Sequence, residues 1–141
     1  MTQLCFHNQN INNNEASSQK LLPILEKTKS AYLFWYQHYL IIPKTHRYSL
    51  GEKIDNLFTD AIEAIIAGSF LGQMEKLPYV RLAIRKMDTL KIFLMILWET
   101  KSVDNKKYIA LSIEINEIGR MLGGWSGQLK KQNSPIKTGE K

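Results

Sequence analysis

The chain has 141 residues, a formal net charge of +6 at pH 7 and 44% hydrophobic residues. This length and apolar content suit one domain with a sizeable core. The excess of Lys and Arg favours an anionic partner, with nucleic acid as the first candidate. The single cysteine, Cys5, cannot form an internal disulfide, so a reducing compartment, the cytoplasm, is expected. No signal-peptide pattern is present, and the best apolar run, residues 92–98, is too short to span a bilayer, so membrane insertion is not predicted.

The first part of the chain divides into a polar segment and a helix. Residues 1–18 are rich in Asn, Gln and Ser without an apolar period, which predicts disorder. Residues 20–42 form the first predicted helix, because apolar side chains recur at steps of three and four. Pro23 is tolerated in the first turn of this helix, and Pro43 stops it.

Two further helices are predicted in the middle of the chain. Ser49 and Glu52 spell a capping box at the start of the second helix. The third helix covers residues 79–99, with Pro78 in its first turn. Its apolar stripe, which indicates a buried seam, consists of Val80, Ala83, Met87, Leu90, Leu94 and Leu97. Residues 92–98 are apolar on all sides, which predicts additional cover from another subunit.

The fourth predicted helix completes the fold. It starts with Ser102 as its N-cap and ends at Gly123 and Gly124, since glycine best adopts the left-handed C-terminal turn. Residues 126–141 then read as a flexible basic tail. Four helices with short connections predict an all-α, up-down-up-down four-helix bundle over residues 19–125.

An apolar girdle is expected where the ends of the first and third helices meet. We interpret it as an oligomer interface, because a large exposed apolar patch usually marks an interaction surface. Its predicted interface residues are Phe34, Tyr36, Ile92, Phe93 and Met95, and Leu33 and Leu40 extend it.

The opposite end is predicted to bind anions through three arginines. Arg81 and Arg85 place like charges on one helical face, and Arg81 has no acidic residue three or four positions away. Arg120 and the basic tail join them from the end of the fourth helix. Arg85 can pair with Asp88, and Arg120 with Glu117, so an ordinary solvated surface explains these two arginines equally well.

The sequence contains no recognisable catalytic arrangement. The three histidines lack metal-ligand spacing, and no Glu-x-x-His pair is present to build a metal site in a bundle. A Gly-rich phosphate loop followed by lysine and a Gly-x-Ser-x-Gly motif are also missing from the sequence. We therefore predict a protein that is not an enzyme and has no catalytic residue, metal or cofactor.

This chain contains two sequence motifs: HRYSLGEKI at residues 46–54 and NEIGRMLGGW at residues 116–125. Together they resemble the accessory variability determinant (Avd) proteins of diversity-generating retroelements, over residues 21–125. A wider group of bacterial four-helix-bundle proteins, encoded by intervening sequences of ribosomal RNA genes, is similar in fold and in the start of its second helix.

The resemblance implies a basic homopentamer that binds nucleic acid and the reverse transcriptase of the same element. Such a protein would bind template RNA or DNA and help the polymerase to use the template RNA in adenine-directed cDNA synthesis and mutagenic retrohoming. The basic positions that match are Arg81, Arg85 and Arg120, together with Arg47. The glycines of both motifs, Ser49 and Trp125 are expected to be structural. The alternative is an interaction oligomer of the intervening-sequence type, without a polymerase partner.

Overall fold

The computed structural model describes the backbone of residues 15–134 and the side chains of residues 23–134. Its four long helices are α1 (Glu15–Tyr39), α2 (Glu52–Phe70), α3 (Gln73–Glu99) and α4 (Asn105–Asn133). Each helix packs against the next, and α4 also packs against α1, so that the four enclose one core. No strand occurs in the described part of the chain. The prediction of an all-α fold of four packed helices is confirmed.

Helix α3 supplies the most regular part of the core. All six residues of its predicted apolar stripe are buried between α2 and α4. They follow the helical period, so one face of α3 remains available to solvent along its whole length. Burying a side chain of the size of Leu or Met stabilises the fold by roughly 1.5–3 kcal/mol. The stripe is therefore a principal source of stability.

A buried tryptophan fixes α1 against α2. The side chain of Trp35 is fully buried, and its indole N–H donates to Asp55 Oδ1 at 3.2 Å. Burial, together with the neighbouring Asp55 carboxylate, raises the pKa of Tyr32 to about 12. Because a buried indole N–H without an acceptor would cost free energy, Asp55 holds these two helices in one register.

Contacts between distant residues show which ends of the helices lie together. His46, in the connection between α1 and α2, has its Nδ1 atom 2.7 Å from Ser102 Oγ, which precedes α4. At the other end, Gln73 Nε2 at the start of α3 donates to Gln132 Oε1 near the end of α4, at 2.6 Å. The start of α3 therefore lies beside the end of α4.

Helix α1 differs from its predicted bounds at both ends. It begins at Glu15, so residues 15–18 are helical rather than disordered, and Pro23 lies inside the helix. A proline removes only one backbone hydrogen bond, and the turns on either side keep theirs. The helix ends at Tyr39 instead of residue 42. The rest of the predicted disordered segment, residues 1–14, and residues 135–141 of the predicted tail lie outside the described residues.

The predicted capping box is wrong. A short helix, Lys44–His46, and a π-helical turn, Arg47–Gly51, lead directly into α2. The Ser49 hydroxyl donates to backbone carbonyls one turn earlier and does not cap a helix start with Glu52. Because helical backbone already precedes Ser49, the amides that a cap would satisfy have carbonyl partners.

The starts of the last two helices also differ from prediction. Helix α3 begins at Gln73, so Pro78 lies in its second turn rather than in its first. The N-cap of α4 is Asp104, whose carboxylate accepts from the Lys107 amide at 2.8 Å. The predicted cap, Ser102, is instead occupied by its hydrogen bond with a histidine from the first connection.

Helix α4 does not end at the paired glycines. It continues through Gly123 and Gly124 to Asn133, so that much of the predicted flexible tail is helical. The reason is the apolar stripe, which extends to Ser126 and Leu129, both buried. Packing of these side chains overcomes the low helix propensity of glycine.

This finding yields a stability prediction for Gly124. An added Cβ at Gly124 meets nothing within 4 Å, so Gly124→Ala gains helix propensity without a clash. We expect the free energy of unfolding, measured by urea denaturation, to rise by up to about 1 kcal/mol. Gly51→Ala is the contrasting variant: its methyl group would lie 3.3 Å from His46 O, and we expect lower stability. If Gly124→Ala destabilises the protein instead, Gly124 terminates the helix as the sequence suggests.

A second prediction concerns alkaline pH. The pKa of Tyr32 is about 12 in the folded protein and 10.0 in a free tyrosine, so its stabilising contribution is complete below pH 10.0. That contribution is lost as the pH rises through the folded value. We expect Tyr32→Phe to flatten the alkaline decline in unfolding free energy. Some decline will persist, because burial also raises the pKa of Tyr39. An unchanged alkaline profile in Tyr32→Phe would contradict the prediction.

Candidate nucleic-acid interface

The exposed side of α3 carries a short row of charges. Arg81, Arg85 and Asp88 are exposed and lie one or two turns apart on one stripe, opposite the buried seam. Arg85 does not form the predicted ion pair with Asp88, and neither arginine pairs with any other described residue. Two adjacent guanidinium groups thus face solvent without compensation.

Helix α4 adds two cations beside this row. Arg120 and Lys131 are three turns apart on α4 and share one side of it. The Arg120 guanidinium donates to the Glu117 carboxylate, as predicted, and this hydrogen bond holds the pKa of Glu117 below its usual range. The Arg120 side chain remains 72% exposed, so it stays accessible to a second anion. We call Arg81, Arg85, Arg120 and Lys131 the basic face.

A groove separates α3 from α4 at the centre of this region. It has a volume of about 360 Å³. Its lining residues are Ile84, Asp88 and Lys91 from α3, and Asn116, Gly119 and Arg120 from α4. Because Asp88 and Arg120 both line it, the charged stripes of the two helices meet there. The predicted arginines are therefore brought together along a side of the bundle, with Arg120 near the middle of α4 rather than at an end.

The other cations near α3 are arranged differently. Lys86 Nζ pairs with Asp60 Oδ2 of α2 at 3.3 Å, so it lies on the opposite side of α3 from the groove. On α1, Lys27 Nζ pairs with Glu114 Oε2 at 3.0 Å. These pairs neutralise charge between helices. Arg81 and Arg85, on the side formed by α3 and α4, are not neutralised in this way by any described residue.

Arg47 is not part of this surface. It lies in the connection between α1 and α2, where its Nε donates to Ile42 O at 3.0 Å and its Nη2 to Leu40 O at 2.9 Å. These carbonyls follow the last turn of α1, so the guanidinium closes the end of that helix. The contacts give Arg47 a structural role at the end of α1, and its binding role stays a prediction.

The predicted apolar girdle is divided between two sides of the bundle. Its α1 members and its α3 members do not meet, because α1 packs on α2 and α4 and lies diagonally across the core from α3. Tyr36 is 45% exposed on α1, and Ile92 is 54% exposed on α3. Phe34, Phe93 and Met95 are half-buried.

Each half of the girdle has exposed apolar neighbours. Leu33 and Leu40 flank Tyr36 on α1, and we call these three residues the α1 patch. Ile109 and Ile113 are exposed in the first half of α4, and Ile92 is exposed in the second half of α3, the helix that packs on α4. We call Ile92, Ile109 and Ile113 the α3–α4 patch. The sequence analysis did not include the two α4 isoleucines, although their exposure follows from their position opposite the buried stripe of that helix.

Sequence reasoning also missed two polar residues of the surface. Lys91 and Asn116 line the groove. Lys91 lies in a stretch whose pattern is mainly apolar. Lys131, which extends the basic face, belongs to the basic tail that was predicted to lie beside the arginines. Asn116 and Arg120 are four residues apart, so the sequence does predict that they share one face of the fourth helix. That shared polar face was the sequence feature that could have indicated the groove.

The other titratable groups of the described residues do not form a second candidate site. Among described residues, no three His, Cys, Asp or Glu side chains are placed to hold a metal ion. The buried position of His38 lowers its pKa, and the ring packs edge-on against Phe34. None of the described helices is both long and apolar enough to cross a membrane. His7 and Cys5 lie outside the described residues.

Fold and surface together define a four-helix all-α protein with a basic face on two adjacent helices, in which Arg81 and Arg85 have no ion-pair partner among the described residues. Comparison with protein-family models, curated proteins and solved structures finds no match to the chain. The family resemblance carried by the two motifs thus stays a prediction.

The structural task of Arg47 can be tested directly. Arg47→Met keeps the aliphatic stem and removes the guanidinium, so the carbonyls of Leu40 and Ile42 lose their donor. We expect the free energy of unfolding to fall by about 1–3 kcal/mol, the range for hydrogen bonds to charged groups. RNA affinity, measured by fluorescence anisotropy, should change little. Unchanged stability together with a large loss of RNA affinity would make Arg47 a binding residue.

Proposed function

We propose that the protein is a non-enzymatic accessory subunit of a diversity-generating retroelement. In this role it binds the template RNA or DNA and holds it beside the reverse transcriptase of the same element. The observation that carries the nucleic-acid part is the pair Arg81 and Arg85, exposed and without an ion-pair partner among the described residues. The two sequence motifs carry the retroelement part.

The second motif supports the proposal by its position. Asn116, Gly119 and Arg120 belong to it, and all three line the groove beside the basic face. Trp125, at its end, packs against α2: an added Cβ on Gly68 would lie 3.5 Å from Trp125 Cη2. The motif at residues 116–125 thus anchors α4 to the core through Trp125 and places polar side chains in the groove, where a ligand can bind.

The first motif has mainly a structural part in the proposal. Arg47 closes the end of α1, and Gly51 lets the Tyr39 ring approach α2 closely, since an added Cβ would lie 3.3 Å from Tyr39 Cε2. The motif therefore shapes the connection between α1 and α2. The expectation that its glycine is structural has a physical explanation in this contact.

A homopentamer is part of the proposal. In a cyclic assembly each interface joins two different patches, one from each neighbouring subunit. The α1 patch and the α3–α4 patch lie on separate sides of the bundle and supply two such surfaces. A face-to-face dimer would need only one self-complementary patch. The divided girdle thus favours a closed ring of up-down-up-down bundles over an isologous pair.

In this proposal the reverse transcriptase performs the catalysis in the cytoplasm, and the accessory ring positions RNA for adenine-directed cDNA synthesis and retrohoming. Phosphate contacts by arginine and lysine are independent of base sequence and add a strong salt dependence. Such contacts suit a subunit that holds a long template while the polymerase moves along it.

A second candidate function is that of the ribosomal intervening-sequence group: a structural or interaction oligomer without a polymerase partner. The two apolar patches fit this function equally well, since they concern only assembly. The pair Arg81 and Arg85, without an ion-pair partner among the described residues, favours the first candidate, because self-association alone does not require adjacent uncompensated arginines.

The salt dependence of RNA binding tests the proposal. Arg81→Glu/Arg85→Glu should weaken binding to a structured RNA and reduce the slope of log affinity against log salt by about 1.5–2, for two lost phosphate contacts. Fluorescence anisotropy over a salt series gives both quantities. Light scattering must show the same assembly in the variant and the wild type.

The matched control is Lys53→Glu/Lys106→Glu, which changes the net charge equally at exposed lysines outside the basic face. If this control loses as much affinity and slope as the arginine variant, net charge rather than the basic face drives binding. Co-purification with the reverse transcriptase of the element separates the two candidate functions. A monomer that captures neither RNA nor polymerase would refute the proposal.

A further inference from the structure

The groove between α3 and α4 contains a charge that a pure phosphate-binding surface would avoid. Asp88 lines it, is exposed, and pairs with no described cation, although Arg85, Lys91 and Arg120 are all nearby in sequence or in the groove. A carboxylate repels phosphate and accepts hydrogen bonds from N–H groups. Its presence within the basic face calls for a ligand that carries N–H donors close to a phosphate.

The size of the groove suits one small group. Its volume of about 360 Å³ is at the small end of ligand pockets, which span about 300–1,000 Å³. Gly119 leaves its wall open: the nearest atom to an added Cβ is Lys91 Nζ, at 4.0 Å. Ile84 offers an apolar surface on the opposite helix. A base lying between these two residues would meet polar groups only at its edge.

We infer that this groove receives a single unpaired guanine from the bound RNA. The inference rests on the proposed function. A guanine edge presents two adjacent N–H donors beside a carbonyl oxygen. The Asp88 carboxylate can accept both donors, and the Lys91 ammonium can donate to the oxygen. Adenine and cytosine each offer one amino group next to a ring acceptor, and uracil offers one N–H between two carbonyls, so none matches this pair of residues equally well.

The neighbouring residues complete the site. Arg120 lines the same groove, and Arg85 precedes Asp88 by one turn, so both can reach the phosphates on either side of the bound nucleotide. Asn116 supplies an amide at the rim. Because base pairing would occupy the guanine edge, the groove selects single-stranded positions, where proteins commonly read RNA bases.

The test uses three short single-stranded RNAs of equal length and charge, made of uridines with one central guanosine, inosine or adenosine. Inosine lacks the exocyclic amino group and so loses one of the two donors. In fluorescence anisotropy with the full-length protein, we expect guanosine RNA to bind roughly tenfold more tightly than adenosine RNA, with inosine between them.

Asp88→Asn should abolish the preference for guanosine while leaving affinity for adenosine RNA equal or higher, because a repulsive charge has been removed. Gly119→Leu should also abolish the preference by filling the groove. Its matched control is Gly124→Leu, where an added Cβ meets nothing within 4 Å and lies away from the groove, and which should retain the preference. Circular dichroism of each variant reports retained helicity.

The outcomes separate the two proposals. Equal, strongly salt-dependent binding of all three RNAs by the wild type overturns the guanine site and leaves the proposed function intact. A guanosine preference that survives in Asp88→Asn also overturns the site. If no RNA binds at any salt concentration, both the site and the proposed function fail.

Discussion

The buried stripe of α3 is the constraint on which the other features of the surface depend. Since α3 packs on α2 and α4 at once, only a narrow strip of it reaches solvent. That strip carries Arg81, Arg85 and Asp88 in its first half and Ile92 in its second. The helical period that places the leucines of α3 in the core thereby also determines which charged and apolar side chains of α3 face solvent. The other sides of α3 pack on α2 and α4, so a charged side chain moved there would meet a neighbouring helix.

Helical periodicity was sufficient to predict the core of α3, because burial there depends on spacing within one helix. Helix ends were harder to predict, since local signals compete with contacts that sequence does not reveal. Ser102 has the chemistry of an N-cap, yet its hydroxyl lies against His46 from a different connection. Gly123 and Gly124 resemble a terminator, yet the buried Leu129 keeps the helix intact beyond them.

The candidate site was partly predictable for the same reason. An excess of like charge on one helical face identified Arg81 and Arg85 directly. The identification of the groove required knowing that α4 lies beside α3, which brings Asn116 next to residues more than 20 positions earlier in the chain. Arg47 shows the converse: a basic loop residue resembles a binding group until its carbonyl partners are known.

Three glycines lower the local stability of the second half of α4. Gly123, Gly124 and Gly127 each face open space, so their low helix propensity is not offset by close packing. This segment depends on the few contacts made by Trp125 and Leu129, and its amides should exchange with solvent before those of α3. A ligand that bridges the two helices would slow that exchange by mass action. Ligand binding at this segment should therefore be detectable as increased protection of its amides from exchange.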